Sequence, residues 1–190
     1  MTTTDTSAAM TTGDGTDPTA TDPTATDPTA SRTTQVYRVY IRTTPQAVWD
    51  AITRPEWTAR YGYGGTVDYD LRPGGSYRGY TSPEMREQGA PDLAIDGEVV
   101  ESDPPNRLVQ TWRMCMDDGL KGEGFTRLTF EIDEAEHGLT RLTIVHDLTG
   151  APQLQLLLSG AWEANGAGGG WSWVLSDLKS LLETGAGFRG

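Results

Sequence analysis

Cysteine occurs once in this chain of 190 residues, at position 115, and histidine twice, at 137 and 146. One cysteine leaves no partner for an internal disulfide and agrees with a reducing compartment. Two histidines and one cysteine offer no pair at ligand spacing, and no HExxH or CxxC string occurs, so neither a structural nor a catalytic metal is expected. Basic residues are scarce: 15 Lys plus Arg stand against 27 Asp plus Glu, for a formal net charge of −12. A polyanionic partner would meet repulsion over most of such a surface, which argues against nucleic acid and anionic membranes. No apolar run approaches the ~18 residues of a membrane span. The opening "MTTTDTSAAMTTGDG" has neither the basic start nor the apolar centre of a signal peptide, so a cytoplasmic location is expected. No GxSxG string supports nucleophilic catalysis by serine. Cys115 has no histidine in its local sequence and alternates away from Trp112 in "RLVQTWRMCM", which fits an inert thiol.

Residues 1–33 are built almost wholly of Thr, Asp, Pro, Ala and Gly and include the pentapeptide "TDPTA" three times in succession. A segment with nothing apolar to bury cannot offset the entropy of ordering, so a disordered, solubilising tail is expected there. The functional alternative is a Thr- and Pro-rich binding or modification tract. From residue 35 the pattern turns to period two, with Tyr37, Val39 and Ile41 alternating against Val36, Arg38 and Tyr40, the signature of a strand. The strand runs into "TTPQAVWDAI", where Thr44 can cap a helix, Pro45 sits at the first helical position, and Val48, Ala51 and Ile52 form one apolar face. A second short helix opens at "RPEWTARYG".

Short strands then follow in series: 66–71, the "RPGG" turn, 76–81, a loop "SPEMREQGAPD", and four longer segments in "LAIDGEVVESD", "RLVQTWRMCM", "FTRLTFEID" and "LTRLTIVHDL". Six or seven strands joined mostly by tight turns predict an antiparallel sheet. The remainder is helical: "APQLQLLLSGAWEA", then after a glycine cluster Trp171, Val174, Leu175, Leu178, Leu181 and Leu182 at helical spacing, with Gly185 placed like a C-cap. The order β, α, α, a run of strands and a terminal helix reads as an α+β architecture. The glycines of "NGAGGGW" do not form a phosphate loop. The last position of a dinucleotide motif is Trp171, no strand immediately precedes it, and no Lys-Ser or Lys-Thr follows, which leaves a hinge before the terminal helix.

The strings "TTPQAVWDAITRPEW", "LRPGGSYRG", "DGEVVESDPPNRLVQTW", "TRLTFEI" and "GGGWSWVLSDLKSLLETG" come in an order that resembles the START-like (SRPBCC, Bet v 1-like) helix-grip superfamily. The resemblance is closest to the branch similar to the C-terminal domain of the activator of the heat-shock protein 90 ATPase. It implies a START-like domain over residues 34–185, with a curved antiparallel sheet wrapped around the C-terminal helix, two short helices after the first strand, and a cavity between helix and sheet. It also implies binding of apolar molecules in that cavity without a cofactor, and it supplies no universal catalytic motif. Residues 186–190 are expected to be a disordered end.

Strand alternation nominates the cavity wall. Leu108, Gln110, Trp112, Met114 and Met116 share one face of their strand, as do Leu128, Phe130 and Ile132 on the next, and Leu142, Ile144, His146 and Leu148 on the last. The candidate ligand-contact set is Trp112, Met114 and Met116 as a soft apolar wall, Tyr63 and Tyr77 on the opposite rim, Trp171, Val174 and Leu175 from the terminal helix, and His146 as polar handle. Each has an ordinary alternative: Met and Trp as core filler, His146 as a core-edge histidine satisfied by a neighbouring carbonyl or by Asp147. No catalytic residue is nominated. Three functions follow in order: binding of a small apolar or amphipathic molecule, docking of a chaperone or other protein partner over a filled cavity, and a cyclase- or hydrolase-type enzyme.

Overall fold

The computed structural model describes residues 33–166 and 168–189. The TDPTA tail expected over residues 1–33 therefore lies, up to residue 32, outside the described residues. Among the described residues seven strands form one antiparallel sheet in the order β1-β7-β6-β5-β4-β3-β2, with β1 at Thr34–Ile41, β2 at Thr66–Tyr69, β3 at Ser76–Tyr80, β4 at Leu93–Asp103, β5 at Arg107–Met114, β6 at Thr126–Ala135 and β7 at Leu139–Asp147. Helices α1 (Pro45–Thr53) and α2 (Pro55–Thr58) follow β1, α3 (Pro83–Glu87) and α4 (Asp118–Gly122) interrupt the run of strands, and α5 (Pro152–Leu158) and α6 (Gly170–Thr184) close the chain. The expected α+β class, curved sheet and terminal helix are all present.

The inward face follows the alternation of the sequence. Leu128, Phe130 and Ile132 of β6 stand opposite His146, Ile144 and Leu142 of β7, and on their other side Leu128 and Phe130 meet Gln110 and Leu108 of β5. All eight are buried. Leu175, Leu178 and Leu181 of α6 are buried too, as period 3.6 requires of one face of a helix lying across a sheet. Edge strand β1 ties the helices down: the Gln35 side chain donates to the Gln155 carbonyl at 2.9 Å, the Tyr37 hydroxyl to Leu158 O at 3.2 Å, and Lys179 Nζ to Tyr40 O at 2.7 Å.

Helix α1 starts as expected, with Thr44 Oγ1 accepting the Ala47 amide at 3.2 Å and Pro45 in the first turn. Two other helices appear where only loops were expected. In "SPEMREQGAPD" the Ser82 hydroxyl accepts the Met85 amide and Pro83 opens α3; in "DDGLKGEG" the Asp117 carboxylate accepts the Gly119 and Leu120 amides and opens α4. The strands expected over 66–71 and 76–81 stop at Tyr69 and Tyr80. The leucine-rich helix stops at Leu158, and a single 3-10 turn at Glu163–Asn165 separates it from α6.

Beyond Gly185 the described chain runs on to residue 189 in contact with α6 and with the residue-62 loop. Asp177 on α6, fully buried, accepts the Gly62 amide through Oδ2 at 2.7 Å and the Phe188 amide through Oδ1 at 2.5 Å. Phe188 packs edge-on against Trp173 at 5.2 Å, and Arg189 donates to Tyr63 O at 3.2 Å. A buried carboxylate must find donors; here it gathers them from the residue-62 loop and from the chain after α6.

Candidate functional site

Between α6 and the inner face of the sheet lies a cavity of about 610 Å³. The terminal helix gives it Trp171, Val174, Leu175 and Leu178, β5 and the chain after it give Trp112, Met114 and Met116, and Tyr63 and Tyr77 come from the β2–β3 side. Eight of the nine residues nominated from sequence thus converge on one space. Most of the remaining wall is aliphatic and aromatic, with Ile52, Ile95, Phe130 and Ile144 among its members and Thr58, Thr66, Thr81 and Asp117 as polar ones. The glycines at the start of α6 matter where side chains would intrude. Gly168 has φ +83°, and a Cβ there would come within 2.6 Å of the Tyr63 hydroxyl; Gly170 has φ +61°, and a Cβ would sit 2.1 Å from Leu158 O. The cluster before α6 therefore serves left-handed backbone and close approach of the helix start to α5 and to Tyr63. The Gly170 amide completes this contact by donating to the Tyr63 hydroxyl at 3.2 Å.

His146 is the exception, and it corrects the expectation of a polar handle. It is fully buried and is not among the residues lining the cavity. It stands behind Trp112 and Trp171, with ring centroids 5.3 and 6.1 Å away. Nδ1 accepts the Trp171 indole N–H at 3.2 Å, Nε2 lies 2.8 Å from Thr126 Oγ1, and that hydroxyl donates to Trp112 O at 2.8 Å. One neutral tautomer, protonated on Nε2, satisfies every member of this chain. Burial pushes the imidazole down to about 4, against a smaller upward pull from Asp147. With both nitrogens committed and no charge at neutral pH, His146 fixes Trp171 in place and has nothing left for a ligand.

Beside the nominated Tyr63 and Tyr77, the polar groups near the cavity include Tyr69, Gln110 and Asp117, which the sequence did not nominate. Tyr69 donates its hydroxyl proton to Gln110 Oε1 at 2.9 Å, and its ring stacks on Tyr77 at 4.5 Å. Burial raises both phenols, Tyr77 to about 12, so both stay protonated. Asp117 is the one charged side chain among the described residues lining the cavity. The signal for Gln110 was its inward register between Leu108 and Trp112; its partner Tyr69 comes from the far edge strand.

On the opposite face of the sheet a groove of about 400 Å³ runs past Arg78, Asp96, Glu98, Thr111 and Phe125. Arg113 pairs with Asp96 there at 2.6 Å and lies over the Phe125 ring. Cys115 is beside that pair, its Sγ 3.4 Å from Asp96 Oδ1, and burial followed by the Asp96 carboxylate pushes the thiol up, away from a reactive thiolate. Among the described residues no group of three or more His, Cys, Asp or Glu could hold a metal ion. Nor is any described helix long and apolar enough to cross a membrane.

The family described as "Activator of Hsp90 ATPase homolog 1-like protein" matches residues 42–183. No curated protein sequence matches the chain. Solved structures of similar fold include the protein MLL2253 from Mesorhizobium loti, at TM-score 0.57 and 20% identity over 79% of this chain and 96% of that one. PFC0360w, an HSP90 activator from Plasmodium falciparum, gives 0.54 and 16% over 78% and 95%. CalU16 from Micromonospora echinospora gives 0.50 and 23% over 69% of each chain. At these identities the likeness is one of fold.

Proposed function

The chain belongs to the Activator of Hsp90 ATPase homolog 1-like protein family, and on that premise we propose that it is a cytoplasmic protein binding a small hydrophobic or amphipathic molecule between α6 and the sheet. The observation that carries this reading is the cavity itself. Its volume of about 610 Å³ falls inside the range usual for small-molecule sites, ~300–1,000 Å³, and its wall is apolar and aromatic with few polar groups. A domain with no use for an internal space loses dispersion contacts along every wall of one, which favours filling it. Trp112, Met114, Met116, Tyr63, Tyr77, Trp171, Val174 and Leu175 are the contact residues in this reading, and the methionines give the wall its adaptability.

A second reading, docking of a chaperone or another protein, draws support from the description of the Plasmodium falciparum relative as an HSP90 activator. That reading came with a filled cavity, and the space beneath α6 weighs against it. A cyclase- or hydrolase-type activity has less support still, since His146 is fully engaged and Cys115 lies on the other face. Native mass spectrometry of the full chain purified from its own host tests the leading reading. A copurifying small molecule released on denaturation is the expected result; a bare mass, together with failure to take up a neutral dye such as Nile red, overturns it.

A further inference from the structure

One charged side chain stands among the described residues lining the cavity, and its charge is negative. Asp117 borders the space where the chain leaves β5 for α4, between Met116 and Leu120, which line it too. Asp117 is exposed, so it stands where the cavity meets solvent rather than on its floor. Its carboxylate is half used. Oδ1 accepts the Gly119 and Leu120 amides at 2.8 and 3.0 Å and caps α4, whereas Oδ2 accepts from no described group and no described Lys or Arg pairs with it. Capping alone does not call for a charge, since asparagine or serine caps a helix about as well. The charge and the second oxygen are therefore left over from the structural task.

The surroundings decide what could answer them. No Lys, Arg or His lines the cavity among the described residues. Two cations lie on neighbouring segments, but Arg189 pairs with Glu84 at 3.2 Å, Lys121 acts on Asp96, and neither lines the space. An anionic ligand would pass Asp117 and lose water without a counter-charge, in a chain of net charge −12. A monocation is drawn by the same field. Tyr63, Trp162 and Trp171 add ring faces to the wall, and such faces attract a cation. Tyr63 and Trp162 are not fully buried, so aromatic surface, like the carboxylate, is present where the cavity opens. Deeper in, Leu128, Leu142, Ile144 and Leu178 are buried and offer only hydrocarbon.

Building on the reading that the cavity holds a ligand, we propose that the ligand is an amphipathic cation, an apolar body with a protonated amine as its head group, and that Asp117 is the specificity-determining residue that receives the amine. The test uses the full chain and three naphthalenes of nearly equal size: 2-naphthylmethylamine, 2-ethylnaphthalene and 2-naphthoate. Each is titrated by calorimetry and by ligand-observed NMR into the wild type, Asp117→Asn and Glu98→Gln. The amine should bind about fivefold tighter than the hydrocarbon, with the carboxylate weakest. Asp117→Asn keeps an oxygen for the α4 cap and should erase the amine's advantage while leaving the hydrocarbon unchanged. Glu98→Gln removes the same unit of charge on the opposite face of the sheet and should leave all three unchanged. An amine that binds the wild type no tighter than the hydrocarbon, tightest binding of the carboxylate, an amine advantage that survives Asp117→Asn, or an equal loss in Glu98→Gln overturns the proposal and leaves the cavity reading standing. Binding of none of the three overturns both. Should Asp117→Asn fail to fold, Asp117→Ser takes its place with the same expected result, and the wild-type order decides on its own.

Discussion

The indole N–H of Trp171 donates to Nδ1 of His146 at 3.2 Å, across the boundary between the terminal helix and the sheet. That bond leaves the imidazole only one tautomer, because Nδ1 can accept only while it carries no proton. The neutral state is therefore part of how α6 is seated.

Acid should loosen this seat. The folded-state pKa of His146, about 4, lies below its ordinary value of 6.5. Between those values the unfolded chain binds the proton and the folded chain does not, so stability is full above about pH 6.5 and is lost as the pH falls toward 4. The linkage amounts to roughly 3 kcal/mol at its limit. Urea unfolding from pH 7 to pH 4 should show a fall in wild-type stability that His146→Gln shows less steeply; parallel curves for the two proteins would remove His146 from the account.

The glycines ahead of α6 should differ sharply in tolerance. Gly166 has φ +84° with nothing within 4 Å of an added Cβ, whereas at Gly170 that Cβ would meet Leu158 O at 2.1 Å. Gly166→Ala should cost about 1 kcal/mol, the price of left-handed backbone alone. Gly170→Ala should cost roughly 3 kcal/mol or more, since α5 and α6 must part to admit the methyl. Equal urea midpoints for the two variants would contradict the close approach.

Asp177→Asn should release two segments together. The carboxylate holds the Gly62 and Phe188 amides on separate oxygens, and an amide side chain has only one oxygen to offer. A loss of about 2 kcal/mol is expected. Hydrogen exchange should quicken at one or both of those amides, with the centre of the sheet unaffected.

Val174→Trp should close the cavity from the helix side. Val174 is partly buried and lines the space beneath α6, and the larger ring has about 610 Å³ to enter. Thermal unfolding should stay cooperative while uptake of Nile red falls by about tenfold. Undiminished uptake would place the dye, and by extension the ligand, somewhere else.

Much of this was legible in the chain before its coordinates. Period two placed Trp112, Met114 and Met116 on one face, and helical spacing put Val174 and Leu175 on the side of α6 that meets them; all five line the cavity. The short helices α3 and α4 went unread because five residues are too few for periodicity, although Ser82 before Pro83, and Asp117 two and three residues before the amides it caps, were visible signals. The role of His146 was of another kind. Its partners Thr126 and Trp171 are 20 and 25 residues away, and nothing local distinguishes a histidine aimed into a space from one locked behind two indoles. Gln110 was seen on the inward face but without its partner, since Tyr69 arrives from the far edge strand.

The strand order carries a consequence for how the domain assembles. From β3 to β7 every strand neighbours the one before it, so each of those hairpins can zip from its own turn. β1 instead pairs with β7, on the order of a hundred residues away, and loop closure over that distance comes at an entropic cost no local turn can defray. Because β1 also holds α5 and α6 through Gln35, Tyr37 and Tyr40, β1 leaves the ribosome well before those helices and has to wait for them before it can settle.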